Sequence, residues 1–109
     1  MDHKLPAAIT SFINTTNNAD STGFVQLFTA DAILNDWGTE YHGPIGIGKW
    51  NQTDNIGKQA HFELVDFTQN DDDSWTVNLA VTGNGFNGTS PFKMVVVKDQ
   101  LQSVQILPD

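Results

Sequence analysis

Residues 35–44, N-D-W-G-T-E-Y-H-G-P, bring together a carboxylate (Asp36), a second acid (Glu40), a phenol (Tyr41), an imidazole (His42) and an indole (Trp37). A carboxylate at the end of an apolar run is a candidate general base for removing a C–H next to a carbonyl. Shielding a carboxylate among aromatic rings makes such a base stronger. The competing role for Asp36 is to accept backbone N–H bonds in the following turn. His61, further along, is a second catalytic candidate, because an imidazole can donate to a carbonyl or shuttle a proton. It is equally readable as a strand histidine at a sheet edge. His42, just before Gly43-Pro44, is either a ligand contact or a solvated loop residue, and His3 is too near the terminus to suggest a role.

Two histidines and one carboxylate are the residue types of a facial metal triad. Asp36, His42 and His61 show no recognised metal spacing, so neither a metal nor a cofactor is expected. The acidic run Asp71 to Asp73 lacks the alternating ligands and the bidentate Glu of a calcium loop, and reads as a solvated hairpin turn. Among the aromatics, Trp37 and Tyr41 flank the stretch and can line a pocket mouth. Phe12 and Trp50 are candidates for its walls. Trp75, Phe24 and Phe28 read as core.

These residues need elements to hold them. Leu5, Ala8, Ile9, Phe12 and Ile13 follow the i, i+3, i+4 spacing of an amphipathic helix, ended by the polar run Asn14 to Asp20. A short second helix, capped by Asp20 or Ser21, carries Phe24, Val25, Leu27 and Phe28 on its apolar side. Residues 31–36 read as a short strand. Gly43-Pro44 opens a third helix, with Pro44 suited to a first-turn position. From residue 60 the period changes to two, and strands are expected over 61–67, 75–83, 91–97 and 101–107. The intervening Asn, Asp and Gly residues suit antiparallel hairpins. Helices followed by a long sheet make an α+β domain, with helices on one face and a space between helix and curved sheet.

The 109 residues form one expected domain, 1–109, with one core. Thirteen acidic residues face five lysines and no arginine, for a net charge of −8. Nucleic-acid binding rests on cationic side chains, and anionic membranes repel such a surface, so neither is an expected partner. Bidentate capture of a phosphate or carboxylate by guanidinium is impossible. A small neutral or apolar molecule is the expected ligand. There are no cysteines, no 18-residue apolar run and no signal-peptide pattern, which together suggest a cytoplasmic protein.

Three passages, F-V-Q-L-F-T-A-D-A-I-L-N-D-W-G with Y-H-G-P-I-G-I-G-K-W behind it, D-D-D-S-W-T-V-N-L-A-V-T-G-N-G-F-N-G, and F-K-M-V-V-V-K-D-Q-L-Q-S-V-Q-I, resemble the nuclear transport factor 2-like superfamily, in particular its SnoaL-like branch. The resemblance covers nearly the whole chain. It implies a cone-shaped α+β fold, with a curved, mostly antiparallel sheet around a long N-terminal helix and two shorter helices. It also implies an apolar pocket at the wide end and a homodimer formed through the sheet. Its members include ketosteroid isomerases, polyketide cyclases, dehydratases and transport factors without chemistry, so fold does not settle function. Asp36 stands where the resembling isomerases carry their general base. Their oxyanion donors, a Tyr on the first helix and a protonated Asp on a late strand, fall at Phe12 and Met94, neither of which donates a hydrogen bond. That departure argues against steroid isomerisation. The expectation is a pocket protein with Asp36 as base and His61 or Tyr41 as donor in isomerase, cyclase or dehydratase chemistry. The alternatives are a binding protein without turnover or a dimeric scaffold.

Overall fold

The computed structural model describes residues 5–108, so His3 lies outside it. The N-terminal periodicity becomes α1 (Ala7–Asn17), which buries Ala8, Ile9, Phe12 and Thr16 on one side. Asp20 caps α2 (Ser21–Val25), its side chain accepting from Gly23 N–H at 3.0 Å. There the expectation of a longer second helix fails. Leu27 sits in a turn and Phe28 begins β1 (Phe28–Asp36). The early part of this strand is polar and irregular, with a register shift between Phe28 and Ile33. This polar opening hides the strand from a search for alternation.

The stretch after Asp36 is a hairpin, where the sequence suggested a loop. β1 turns at Trp37-Gly38 into β2 (Thr39–His42), antiparallel to it, with Asp36 opposite Thr39. Then come α3 (Gly43–Asp54), with Pro44 in its first turn, and a 3-10 turn over Ile56–Lys58. Gly43 has φ +68°, and a Cβ there would meet the Ala30 carbonyl at 3.2 Å, so the tight entry into α3 requires glycine.

The remaining strands are β3 (His61–Asp71), β4 (Ser74–Thr82), β5 (Gly88–Val97) and β6 (Gln100–Ile106). The six strands form one mixed sheet in the order β2-β1-β6-β5-β4-β3, parallel only where β1 meets β6. β5 starts three residues before the expected position, with Pro91 inside it. Residues 88–91 pair with β4, and pairing with β6 begins only at Phe92, so the missing proline N–H faces no ladder on that side.

Along β4, Trp75, Val77, Leu79 and Val81 are buried and alternate with partly exposed residues, and Ser90, Phe92 and Met94 do the same on β5. This inner face packs against α1. Phe12, fully buried, is ringed by Phe24, Phe28, Phe62 and Phe92, with centroids 5.4 to 6.4 Å away. The end of α1 is fastened to the edge strand β3 by a two-way clamp. Asn17 Nδ2 donates to the Phe62 carbonyl at 2.8 Å, and Phe62 N–H donates to Asn17 Oδ1 at 2.7 Å. A buried amide network ties α3 to α1 and α2: Asn55 Nδ2 donates to Thr16 Oγ1 and Asn51 Oδ1, and Asn51 Nδ2 to Ser21 Oγ.

Phe12→Ala removes the ring that all four neighbours share. It should cost about 3–5 kcal/mol, read as a lower urea midpoint with the slope conserved. A loss below about 1 kcal/mol would show that Phe12 is not the centre of the core.

Candidate functional site

Between the ends of β1 and α3 on one side and β3, β4 and β5 on the other lies a cavity of about 310 Å³. That is the lower end of the ~300–1,000 Å³ range of small-molecule sites. Its apolar wall is Phe62, Phe92, Val81, Ile106 and Trp50, with Ala60 beside them. Phe62 and Phe92 also touch Phe12, so the core cluster forms the back of the cavity.

Asp36 is the last residue of β1 and lines the cavity half-buried. Trp50, at the start of the third turn of α3, donates its indole N–H to Asp36 Oδ2 at 3.0 Å. This bond fixes the carboxylate plane. Among the described residues no side chain donates to Oδ1, which is left for a ligand. The indole therefore serves both as wall and as the orienting donor.

Trp37 follows in the two-residue turn, with φ +53° at Trp37 and +98° at Gly38. Positive φ at both centres is the pattern of a type I′ hairpin, for which Asn-Gly is the favoured pair. A bulky residue in this region costs roughly 1–3 kcal/mol. It is held by Gly38 N–H donating to Asn35 Oδ1 at 2.7 Å and by Trp37 N–H donating to the Ile106 carbonyl at 3.2 Å. The result is an exposed indole at the cavity rim, edge-on to exposed Phe86 at 5.8 Å. The β4–β5 loop that carries Phe86 is drawn in through Gly83, whose φ of +149° lets it approach the carbonyls of Lys58 and Gln59. A Cβ there would stand 2.9 Å from both. Lys58 and Asp54 add one charge of each sign to the lining, and Asn55 and Thr82 add polar side chains.

The sequence candidates thus separate. Asp36, Trp37 and Trp50 converge on the cavity. Phe12 lies one layer behind the wall, in contact with Phe62 and Phe92. His61 is exposed and outside the lining. It precedes Phe62, and successive strand residues point to opposite faces, so the phenylalanine takes the inner position. His42 is the exposed end of β2 and pairs with Glu40 at 3.3 Å, also outside the lining. Tyr41 is half-buried against the core, near enough to Asp54 and Asp36 to feel their charge, without lining the cavity. Among the described residues no group of three metal-ligating side chains occurs.

Ser90 is the polar residue that the sequence did not single out. It lines the cavity and is fully buried, and its Oγ is the one buried side-chain polar atom among the described residues with no hydrogen-bond partner. Such a group costs roughly 1–3 kcal/mol unless something pairs with it. With the strand read as starting at Pro91, Ser90 fell in the preceding turn. The inner-face alternation of Ser90, Phe92 and Met94 was the signal that could have found it.

The sequence matches no protein-family model and no curated protein. Solved structures do match. A Mycobacterium tuberculosis protein in complex with estradiol-17β-hemisuccinate superposes with a TM-score of 0.85 at 16% identity, over 97% of this chain and 95% of that one. A candidate polyketide cyclase from Sinorhizobium meliloti gives 0.82 at 20% identity, over 94% of each chain. A nuclear transport factor 2-like protein of unknown function from Cytophaga hutchinsonii gives 0.82 at 10% identity, over 100% of this chain and 95% of that one.

Burial, then Asp54, then Asp36 hold the Tyr41 phenol above its ordinary value of 10.0. A raised folded-state value means that this contribution to stability is fully present below pH 10 and is lost as pH rises through the shifted value. Tyr41 is the only tyrosine, so tyrosinate absorbance should titrate with a midpoint above 10.0, and Asp54→Asn should move it down. A midpoint at or below 10.0 would contradict this placement. The six-stranded sheet with its three helices and the likeness to these solved structures show that the chain has the nuclear transport factor 2-like fold.

Proposed function

We propose that the protein binds a small, neutral, largely apolar molecule in this cavity, and that Asp36 acts there as a general base on a carbonyl compound. The observation that carries the reading is the Asp36 carboxylate, held by the Trp50 indole beside the apolar wall of Phe62, Phe92, Val81 and Ile106. A base so placed takes a proton from the carbon next to a carbonyl. The C–H electron pair becomes the carbon–carbon double bond of an enolate, and the carbonyl π pair moves onto oxygen. Return of the proton to a different carbon of a conjugated dienolate, or to the opposite face of the same carbon, completes an isomerisation. Attack of the enolate carbon on a second carbonyl of the same molecule closes a ring, the second carbonyl oxygen taking up the proton that Asp36 removed. The Mycobacterium tuberculosis protein in complex with estradiol-17β-hemisuccinate supports a ligand with a large apolar body. The absence of arginine supports a neutral ligand over an anionic one.

Binding without turnover is the second reading. Phe12 and Met94, at the places where the isomerases keep their oxyanion donors, are both fully buried and neither lines the cavity. A homodimer through the sheet belongs to either reading. Leu64 and Val65 on β3 stand exposed, which supports it.

A bicyclic ketone with acidic α-protons, 2-tetralone, distinguishes the two. It should raise the melting temperature, and its α-protons should exchange for deuterium in D₂O faster with the protein than without it. Asp36→Asn should retain the thermal shift and lose at least about 100-fold of the exchange rate, the scale of general-base catalysis. A thermal shift without exchange would support binding alone. Neither effect would remove both readings.

A further inference from the structure

We propose that Ser90 is the hydrogen-bond donor that receives the ligand's carbonyl oxygen, making the cavity selective for ketones over hydrocarbons of the same shape. This rests on the cavity reading above and adds the group that recognises the ligand. Ser90 Oγ is fully buried, has no partner within the described chain and lines the same chamber as Asp36.

The surroundings define what the hydroxyl can pair with. On the inner face of β5 its neighbour is Phe92, and across the ladder it pairs with Leu79, both apolar. Among the described residues no acceptor reaches its proton, so the acceptor is assigned to a molecule in the cavity. A hydroxyl brings one donor and two lone pairs, and a carbonyl oxygen needs one donor. Asp36 is only an acceptor when ionised, the Trp50 indole N–H and Asn55 Nδ2 are already spent on Asp36, Thr16 and Asn51, and Thr82 is exposed, so Ser90 is the buried uncharged donor of the lining that is still free. In proton abstraction, the oxygen that gains charge as the enolate forms is the oxygen Ser90 holds. A donor aimed at developing charge in a water-poor site stabilises the transition state more than the ground state. The chain thus has a base on β1 and a donor on β5, in place of donors at Phe12 and Met94.

An unpaired buried hydroxyl is a burden on the empty fold, so its removal separates binding from packing. Binding of 2-tetralone and of tetralin, the hydrocarbon lacking the oxygen, is measured by calorimetry on wild type and Ser90→Ala. Wild type should prefer the ketone. Ser90→Ala should weaken ketone binding about 3- to 10-fold, leave tetralin unchanged, and melt at the wild-type temperature or above. Deuterium exchange on the bound ketone should fall further than affinity, by about 100-fold. Wild type binding both compounds equally would overturn the Ser90 assignment and leave the cavity reading standing. Equal weakening of both compounds by Ser90→Ala, or a lower melting temperature with the ketone preference intact, would mark Ser90 as a packing residue and overturn it too. Binding of neither compound to wild type would overturn the cavity reading and Ser90's role together.

Discussion

The Phe12 ring determines where this protein can have a cavity. It is surrounded by Phe24, Phe28, Phe62 and Phe92, which fill the space between α1 and the sheet at one end. Phe62 stacks on it and Phe92 meets it edge-on, and both also line the chamber. Close packing of large rings leaves few voids, so open volume is displaced towards the end that the cluster does not reach. There the sheet is bounded by the Trp37 turn, α3 and the β4–β5 loop. The core is thus also the floor of the site, and changes to the cluster act on the cavity through its walls.

Polar groups follow from the same arrangement. α3 crosses the end of β1 and brings Trp50 against Asp36, and the indole N–H finds its acceptor in that carboxylate. The amide network of Asn51, Asn55, Thr16 and Ser21 fixes α3 against the first two helices, so the orienting donor stands on a rigid support. Two departures from ideal local structure lie around the cavity, while Ala19, Lys98 and Asp99 have left-handed backbone in turns elsewhere. Trp37 has a left-handed backbone at the rim, and Ser90 carries an unpaired hydroxyl in the wall. Natural folds tend to break local rules where function is kept, and both departures fall within one chamber.

Much of this was readable from residues alone. The 3.6-residue spacing through Phe12 gave α1, Gly43-Pro44 gave the start of α3, and the alternation from Trp75 to Val81 gave β4. The departure came where local pattern and long-range pairing disagree. Phe28 extends an apolar helical spacing yet pairs with Leu101 of β6, more than seventy residues away. Thr39–His42 carries no alternation and becomes a strand because Trp37-Gly38 folds it back onto β1. In the site, Asp36, Trp37 and Trp50 were legible because carboxylate and indoles are conspicuous types. His61 was conspicuous too, and one residue of strand register turns it away from the chamber. Ser90 was inconspicuous in type, and only its burial without a partner reveals it.

The pairing of the Asp36 carboxylate, held by Trp50, with the free Ser90 hydroxyl across an apolar wall is tested most directly by a crystal structure of the protein with 2-tetralone bound. The ketone should lie against Phe62, Phe92 and Ile106, its oxygen within hydrogen-bond reach of Ser90 Oγ and an acidic α-carbon facing Asp36 Oδ1. A ligand confined to the outer rim at Trp37 and Phe86, or seated with its oxygen away from both groups, would contradict it.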